Sequence, residues 1–243
     1  MKICIDAGHN FSSYDTGATG NGLREQDVTF GIASKLKLML EETGIEVVMT
    51  RTYLSQNLGL NSDDSLAKRC RIANENECDL FISIHCNSHI NVSANGTEIL
   101  VYKFGGEAEK LAKKVQKEIV EAFNTSDRGV KEYNAKVLRS TNMPAILVET
   151  AFISNKEEAE LLKNKQNEFA NAILNAVNDY LGKGVTKSNV ESGNDIDYLL
   201  KTKYGITFES AENEKEFIKE LDELKAKDSK VYWVYYKLVN NWQ

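Results

Sequence analysis

The chain has 243 residues, 42% hydrophobic and 27% charged, which suits one ordinary soluble core domain plus a small second one. A net charge of −6 argues against general nucleic-acid binding, which needs a basic face to neutralise phosphates. No apolar run approaches the roughly 18 residues needed to span a bilayer, so membrane insertion is not expected.

The N-terminus, Met1-Lys2-Ile3-Cys4-Ile5-Asp6, lacks the long apolar core of a signal peptide. Ile3-Cys4-Ile5 reads instead as a buried strand ending at Gly8. Val28, Ile32, Leu36 and Met39 recur at helical spacing, with Gly44 as a stop. Strands are expected at 46–50, 80–84 and 97–102, and Leu66, Cys70 and Ala73 mark a second helix face between the first two of these. Ala108, Leu111, Ala112, Val115, Ile119 and Phe123 form an amphipathic helix. Val137-Leu138 and Ala145 to Val148 read as further strands, and Leu162, Phe169, Ile173, Val177 and Tyr180 as one long helix. Alternation of this kind implies an α/β fold, a mostly parallel twisted sheet flanked by helices on both faces. Cys4, Cys70, Cys78 and Cys86 fall within these elements and form no Cys-x-x-Cys motif, so buried thiols are expected rather than disulfides.

In such sheets ligands bind beyond the carboxyl ends of the strands. Two of the three histidines, His9 and His85, follow the first and third strands. If those strands are neighbours, both imidazoles can reach one ion. A catalytic zinc takes three protein ligands and leaves a position for water. Glu25, at the start of the first helix, is the third candidate, although alone it would read as a carboxylate complementing the helix dipole. Hydrolysis also needs a group to protonate the departing amine. Glu149 ends the strand Ala145-Ile146-Leu147-Val148 at the same rim, and a solvated strand-end carboxylate is the equal alternative for it. His89 reads as a loop residue.

These residues sit in segments that together resemble the zinc-dependent N-acetylmuramoyl-L-alanine amidases, the type 3 amidases. The segments are Ile5-Asp6-Ala7-Gly8-His9, Gly22-Leu23-Arg24-Glu25, Thr50-Arg51, Ile72-Ala73-Asn74, Phe81 to Asn87, Arg128-Gly129-Val130-Lys131, Val137-Leu138-Arg139, Pro144 to Glu149 and Phe152-Ile153-Ser154-Asn155. They lie in family order across residues 1–181. Ala7 and Cys86 depart from the usual Pro and Ala, and Cys86 should face away from His85 because strand residues alternate.

The resemblance implies Zn2+ as cofactor, with ligands His9, Glu25 and His85 and a catalytic Glu149. It also implies a substrate groove near Asn87 and Arg128, and Arg128 has the fork geometry to hold a stem-peptide carboxylate. The implied substrate is peptidoglycan, cut at the lactyl amide between N-acetylmuramic acid and L-alanine. A related zinc peptidase or deacetylase acting on the wall, and a non-catalytic wall-binding protein, are the alternatives. The site of action is the bacterial cell wall. With no export signal visible in the chain, release of a cytoplasmic product through a membrane lesion is expected, as for a phage endolysin, with a host autolysin as the other origin.

Residues 182–193 read as a polar, glycine-containing linker after the 1–181 domain. Residues 194–243 are expected to form a small α/β domain with no recognisable family. Its strand 231–239 carries Tyr232, Trp233, Tyr235 and Tyr236, which suits wall binding or homo-oligomerisation.

Overall fold

The computed structural model describes residues 1–12 and 14–183. The expectations for a linker beyond residue 183, for a domain over 194–243 and for a strand at 231–239 lie outside the described residues.

Within them, eight strands and six helices follow in order: β1 (Lys2–Ala7), β2 (Thr19–Gly20), β3 (Leu23–Arg24), α1 (Glu25–Glu42), β4 (Glu46–Met49), α2 (Ser62–Glu75), β5 (Leu80–Asn87), β6 (Thr97–Val101), α3 (Glu107–Phe123), β7 (Asp127–Glu132), α4 (Lys136–Arg139), β8 (Ala145–Phe152), α5 (Lys156–Asn164) and α6 (Gln166–Tyr180). Six strands form one sheet in the order β4-β1-β5-β8-β6-β7. Four of its five pairings are parallel, and only β6 against β8 is antiparallel. The expected mostly parallel sheet is therefore present, with β1, β5 and β8 side by side at its centre.

Burial follows strand alternation. Ile3 and Ile5 on β1, Ile82 and Ile84 on β5 and Ile146 and Val148 on β8 are all fully buried. Their face is covered by α1 and α3, which pack on the sheet, with α6 packed against both helices. Fully buried Ile32, Leu36, Leu111, Val115, Ile173 and Val177 supply the helical side of this core. The opposite residues of the same strands, Cys4, Phe81 and Leu147, pack with Cys70 and Ala73 of α2 and Val137 and Leu138 of α4. All four cysteines are free and buried, as small apolar side chains.

Two expectations are corrected. Val137-Leu138 is not a strand but the centre of a single helical turn, α4, whose two apolar residues face the core. The long helix expected from Leu162 to Tyr180 is two helices, α5 and α6, broken at Lys165, whose backbone leaves the helical region at φ −126°, ψ 29°. The stretch Asp127–Glu132, which carries no apolar signal, is a strand at the sheet edge. No described helix is long and apolar enough to cross a membrane.

Candidate metal centre

The parallel pairing of β1 with β5 brings Ala7 beside Ile84, so the chain leaves both strands at the same rim. His9 emerges in the left-handed region at φ 65°, a conformation that the surroundings must impose on a residue with a Cβ. Two buried arginines impose it. Arg69 donates to the carbonyls of Ala7 (2.8 Å) and His9 (2.6 Å), and Arg51 to those of Ala7 and Gly8 (3.1 Å each). Asp6, also buried, accepts from Arg69 (2.6 Å), Thr50 (2.6 Å) and Ser83 (2.6 Å). Burial pushes the Asp6 carboxyl up, but Arg69 and the two hydroxyls outweigh it and hold its pKa at about 2. Gly8 is required here, because a Cβ would stand 2.5 Å from Cε1 of His85.

His85 lies near the end of β5, just before a register shift, and points to the same face as Phe81 and Ser83. Cys86 points the other way and is buried, as alternation requires. Glu25 is the first residue of α1, yet the residue is only 3% exposed and its carboxylate is turned into the rim. Its Oε1 accepts from the backbone N–H of Cys86 (3.0 Å) and its Oε2 from that of Ala18 (2.8 Å).

The three side chains converge. Nε2 of His9 lies 3.0 Å from Glu25 Oε1 and 3.1 Å from Nδ1 of His85, and that Nδ1 is 3.0 Å from the same Oε1. Among the described residues this is the group of histidine, cysteine or carboxylate side chains whose donor atoms gather closely enough for a metal ion. A tetrahedral ion with bonds of about 2.0–2.1 Å has ligand–ligand edges of roughly 3.3 Å, so the donors stand nearly at coordination spacing. Their chemistry fits as well, being two imidazole nitrogens and a carboxylate oxygen. Burial pushes the His9 imidazole down, but Asp15 and Glu25 prevail and raise its pKa to about 9. Burial likewise pushes Glu25 up, and the two histidines overcome it and hold the carboxyl far below the usual range. Both shifts say that positive charge is favoured between these groups, whether a proton or a metal ion carries it.

Glu149 pairs directly with His85 across β5 and β8, and Glu98 of β6 pairs with Glu149 on its other side. One oxygen of Glu149, Oε2, is buried with no hydrogen-bond partner. Burial raises its pKa to about 7; His85 opposes the rise, and Glu25 and Glu98 add to it. A groove of about 470 Å³ opens over the rim, lined by His9, Glu25, His85, Glu149, Lys131 and Tyr133 among others.

Asn87 also lines this groove, donating to Glu98 (2.9 Å). Arg128 lies to one side, its Nε on Glu98 (2.9 Å) and its guanidinium 4.9 Å above the Phe152 ring. Lys131 shares the Glu98 carboxylate (2.5 Å) and lines the groove. His89 is exposed in the following loop, its Nδ1 accepting from Asn91 N–H. Glu98 was missed by sequence reasoning, although a lone carboxylate inside the apolar run of β6 is the signal that marks it.

A family model described as N-acetylmuramoyl-L-alanine amidase matches residues 3–179. The Bacillus subtilis protein YqiI is 37% identical over 185 residues, covering 73% of this chain and 84% of its own length. The N-acetylmuramoyl-L-alanine amidase LytC of the same organism is 36% identical over 164 residues, 66% of this chain, which spans only 31% of LytC. The crystal structure of N-acetylmuramoyl-L-alanine amidase from Clostridium difficile 630 is similar in fold, with a TM-score of 0.67 at 34% identity, over 74% of this chain and 96% of that one.

Proposed function

The chain belongs to the N-acetylmuramoyl-L-alanine amidase family, and on that footing we propose that it is a zinc-dependent peptidoglycan hydrolase cutting the lactyl amide between N-acetylmuramic acid and L-alanine. The observation that carries this reading is the convergence of His9, Glu25 and His85 beside the unpartnered Oε2 of Glu149 in one groove. His9 Nε2, Glu25 Oε1 and His85 Nδ1 would hold the zinc, three protein ligands being the usual number when a position is left for water. Zinc bound there supplies a Lewis acid that polarises a carbonyl and lowers the pKa of water to about 7.

Glu149 is the acid–base group. Its carboxylate takes a proton from the water as the oxygen attacks the lactyl carbonyl carbon. The same proton passes to the alanine nitrogen as the C–N bond breaks, leaving a carboxylic acid on the glycan and a free amine on the peptide. A pKa raised to about 7 by burial suits both halves of this transfer, since the group must accept and return a proton at the same pH. The free Oε2 keeps one oxygen available for it. Asn87 would contact the substrate from the groove wall. Arg128 would hold a stem-peptide carboxylate with the guanidinium nitrogens not engaged by Glu98.

The protein would thus act at the bacterial cell wall, with residues 194–243 serving targeting or assembly. Digestion of purified wall followed by mass spectrometry of the new terminus is the test. The expected products are free stem peptide beginning with L-alanine and intact glycan. New D-amino-acid amines would indicate a peptidase, new glucosamine amines a deacetylase, and no product at all a binding protein.

A further inference from the structure

We infer that Asp15 is the positioning residue of this centre, fixing the ring of His9 so that its Nε2 presents a lone pair to the ion; this rests on the proposed metal-binding reading of His9, Glu25 and His85. Asp15 lies in the loop between β1 and β2, six residues beyond His9. The backbone N–H of Asn10 donates to the Asp15 carbonyl (2.7 Å), which closes the loop and brings the Asp15 side chain back over the histidine. Asp15 Oδ1 then sits 2.9 Å from His9 Nδ1.

An imidazole has two nitrogens, and a neutral ring has a proton on one of them only. A carboxylate is an acceptor, so it keeps that proton on Nδ1 and leaves Nε2 as the ligating atom. Nε2 is the atom that faces Glu25 Oε1 and His85 Nδ1. The Asp15 carboxylate is itself held, since Ser65 Oγ of α2 donates to its Oδ2 (3.2 Å). Ser65 is fully buried and precedes Arg69 by one helical turn, the residue that grips the His9 carbonyl. One helix therefore fixes His9 twice, through its backbone by Arg69 and through its ring by Ser65 and Asp15.

The rest of the loop is shaped to the same end. Gly17, at φ 75°, passes so close that a Cβ there would lie 2.6 Å from Cδ2 of His9 and 2.8 Å from Oε2 of Glu25. Ala18 N–H holds that same Oε2 (2.8 Å). The segment from Asp15 to Ala18 is thus a strap that orients two of the three donor groups, and Asp15 is the member whose side chain sets the tautomer.

The test uses the full chain stripped of metal, with zinc affinity measured by competition against a chromophoric chelator. Outer-shell partners of this kind typically contribute about 10–100-fold in metal affinity, and Asp15→Ala is expected to lose that much. Asp15→Asn retains an acceptor oxygen of the same reach but no charge, and its affinity should fall between the two. The unfolding midpoints of the metal-free Asn and Ala variants should agree, so the order in affinity cannot be a consequence of stability. In the zinc-loaded wild type, NMR of labelled histidine should show a protected Nδ1–H on His9, and Asp15→Ala should lose that protection. Affinities of both variants within about twofold of wild type would overturn the inference, as would a loss that merely tracks metal-free stability. If Asp15→Ala does not fold, the isosteric Asp15→Asn carries the same comparison. His9→Ala separates the two levels. Zinc binding lost in His9→Ala but intact in both Asp15 variants overturns the role of Asp15 alone. A wild type that binds no zinc overturns the metal-binding reading and this inference together.

Discussion

Two grooves on this molecule differ in a way that size does not capture. The one between α3 and β7 has a volume of about 570 Å³, and the one over the metal centre about 470 Å³. The larger is lined by Glu109, Lys113, Lys117 and Glu121, charges on solvent-facing helix positions that pair along the helix, as Lys113 does with Glu109 at 2.6 Å. Water screens such pairs, and they do little beyond keeping the surface soluble. The smaller groove gathers His9, Glu25, His85 and Glu149 where burial makes each charge depend on the others. Chemistry is concentrated where titratable groups have been taken out of water and set beside one another, not in the larger of the two grooves.

The sharpest way to break this contrast is to remove a donor. His85→Ala should abolish zinc binding and amide cleavage together while the sheet survives, because His85 is near the end of β5 and the core packing precedes it. Metal analysis and wall-digestion assays on the purified variant check this, and retained zinc with normal turnover would move the centre elsewhere.

Next in size is Glu149→Gln. The amide keeps the shape but cannot move a proton, so the variant should bind zinc as the wild type does and lose about 10²–10⁴-fold in turnover. Turnover near the wild-type rate would make Glu149 a structural carboxylate.

The buried network beneath the centre gives a smaller effect, read as stability. Asp6→Asn leaves Arg69 buried without its ion-pair partner, which should cost about 3–5 kcal/mol in urea unfolding. The sign with pH follows from the lowered pKa. Asp6 falls from its ordinary 3.8 to about 2 on folding, so its contribution is complete above the ordinary value and is lost as pH falls through the folded one. The gap between wild type and Asp6→Asn should therefore narrow from pH 4 toward pH 2, by about 2 kcal/mol. A gap that stays constant over that window would mean the carboxylate is not what stabilises the arginine.

Smallest of all is the larger groove. Lys117→Ala, which removes a half-made pair with Glu121 at 3.8 Å, should leave turnover, zinc content and unfolding midpoint unchanged. Any loss of turnover on wall substrate would show that this groove belongs to the site.

The same contrast explains what could be read in the sequence. His9, His85 and Glu149 were legible because each closes or follows an apolar run, and the strand period fixes which end and which face they occupy. Glu25 was legible as the first residue of a periodic helix. The strand β7 was not, because an edge strand covered on one side only carries charges at Asp127, Arg128, Lys131 and Glu132 and has no apolar period to show. Helix α4 is one turn long, too short for two apolar neighbours to reveal helical rather than strand spacing. The break at Lys165 carries neither Gly nor Pro. Arg51 and Arg69 act through contacts that cross the fold, and such contacts leave no local pattern; Asp15 lies six residues from His9, but in a loop with no period to mark it.

On the proposed reading, three donors at the rim of β1 and β5 hold a zinc ion without which the amide is not cut. Metal analysis of the purified full chain, paired with amide cleavage before and after chelation, checks this. About one zinc per chain is expected, with no cleavage after chelation and recovery when zinc is restored. A chain that holds no zinc and cleaves wall equally well in the presence of a chelator would contradict it.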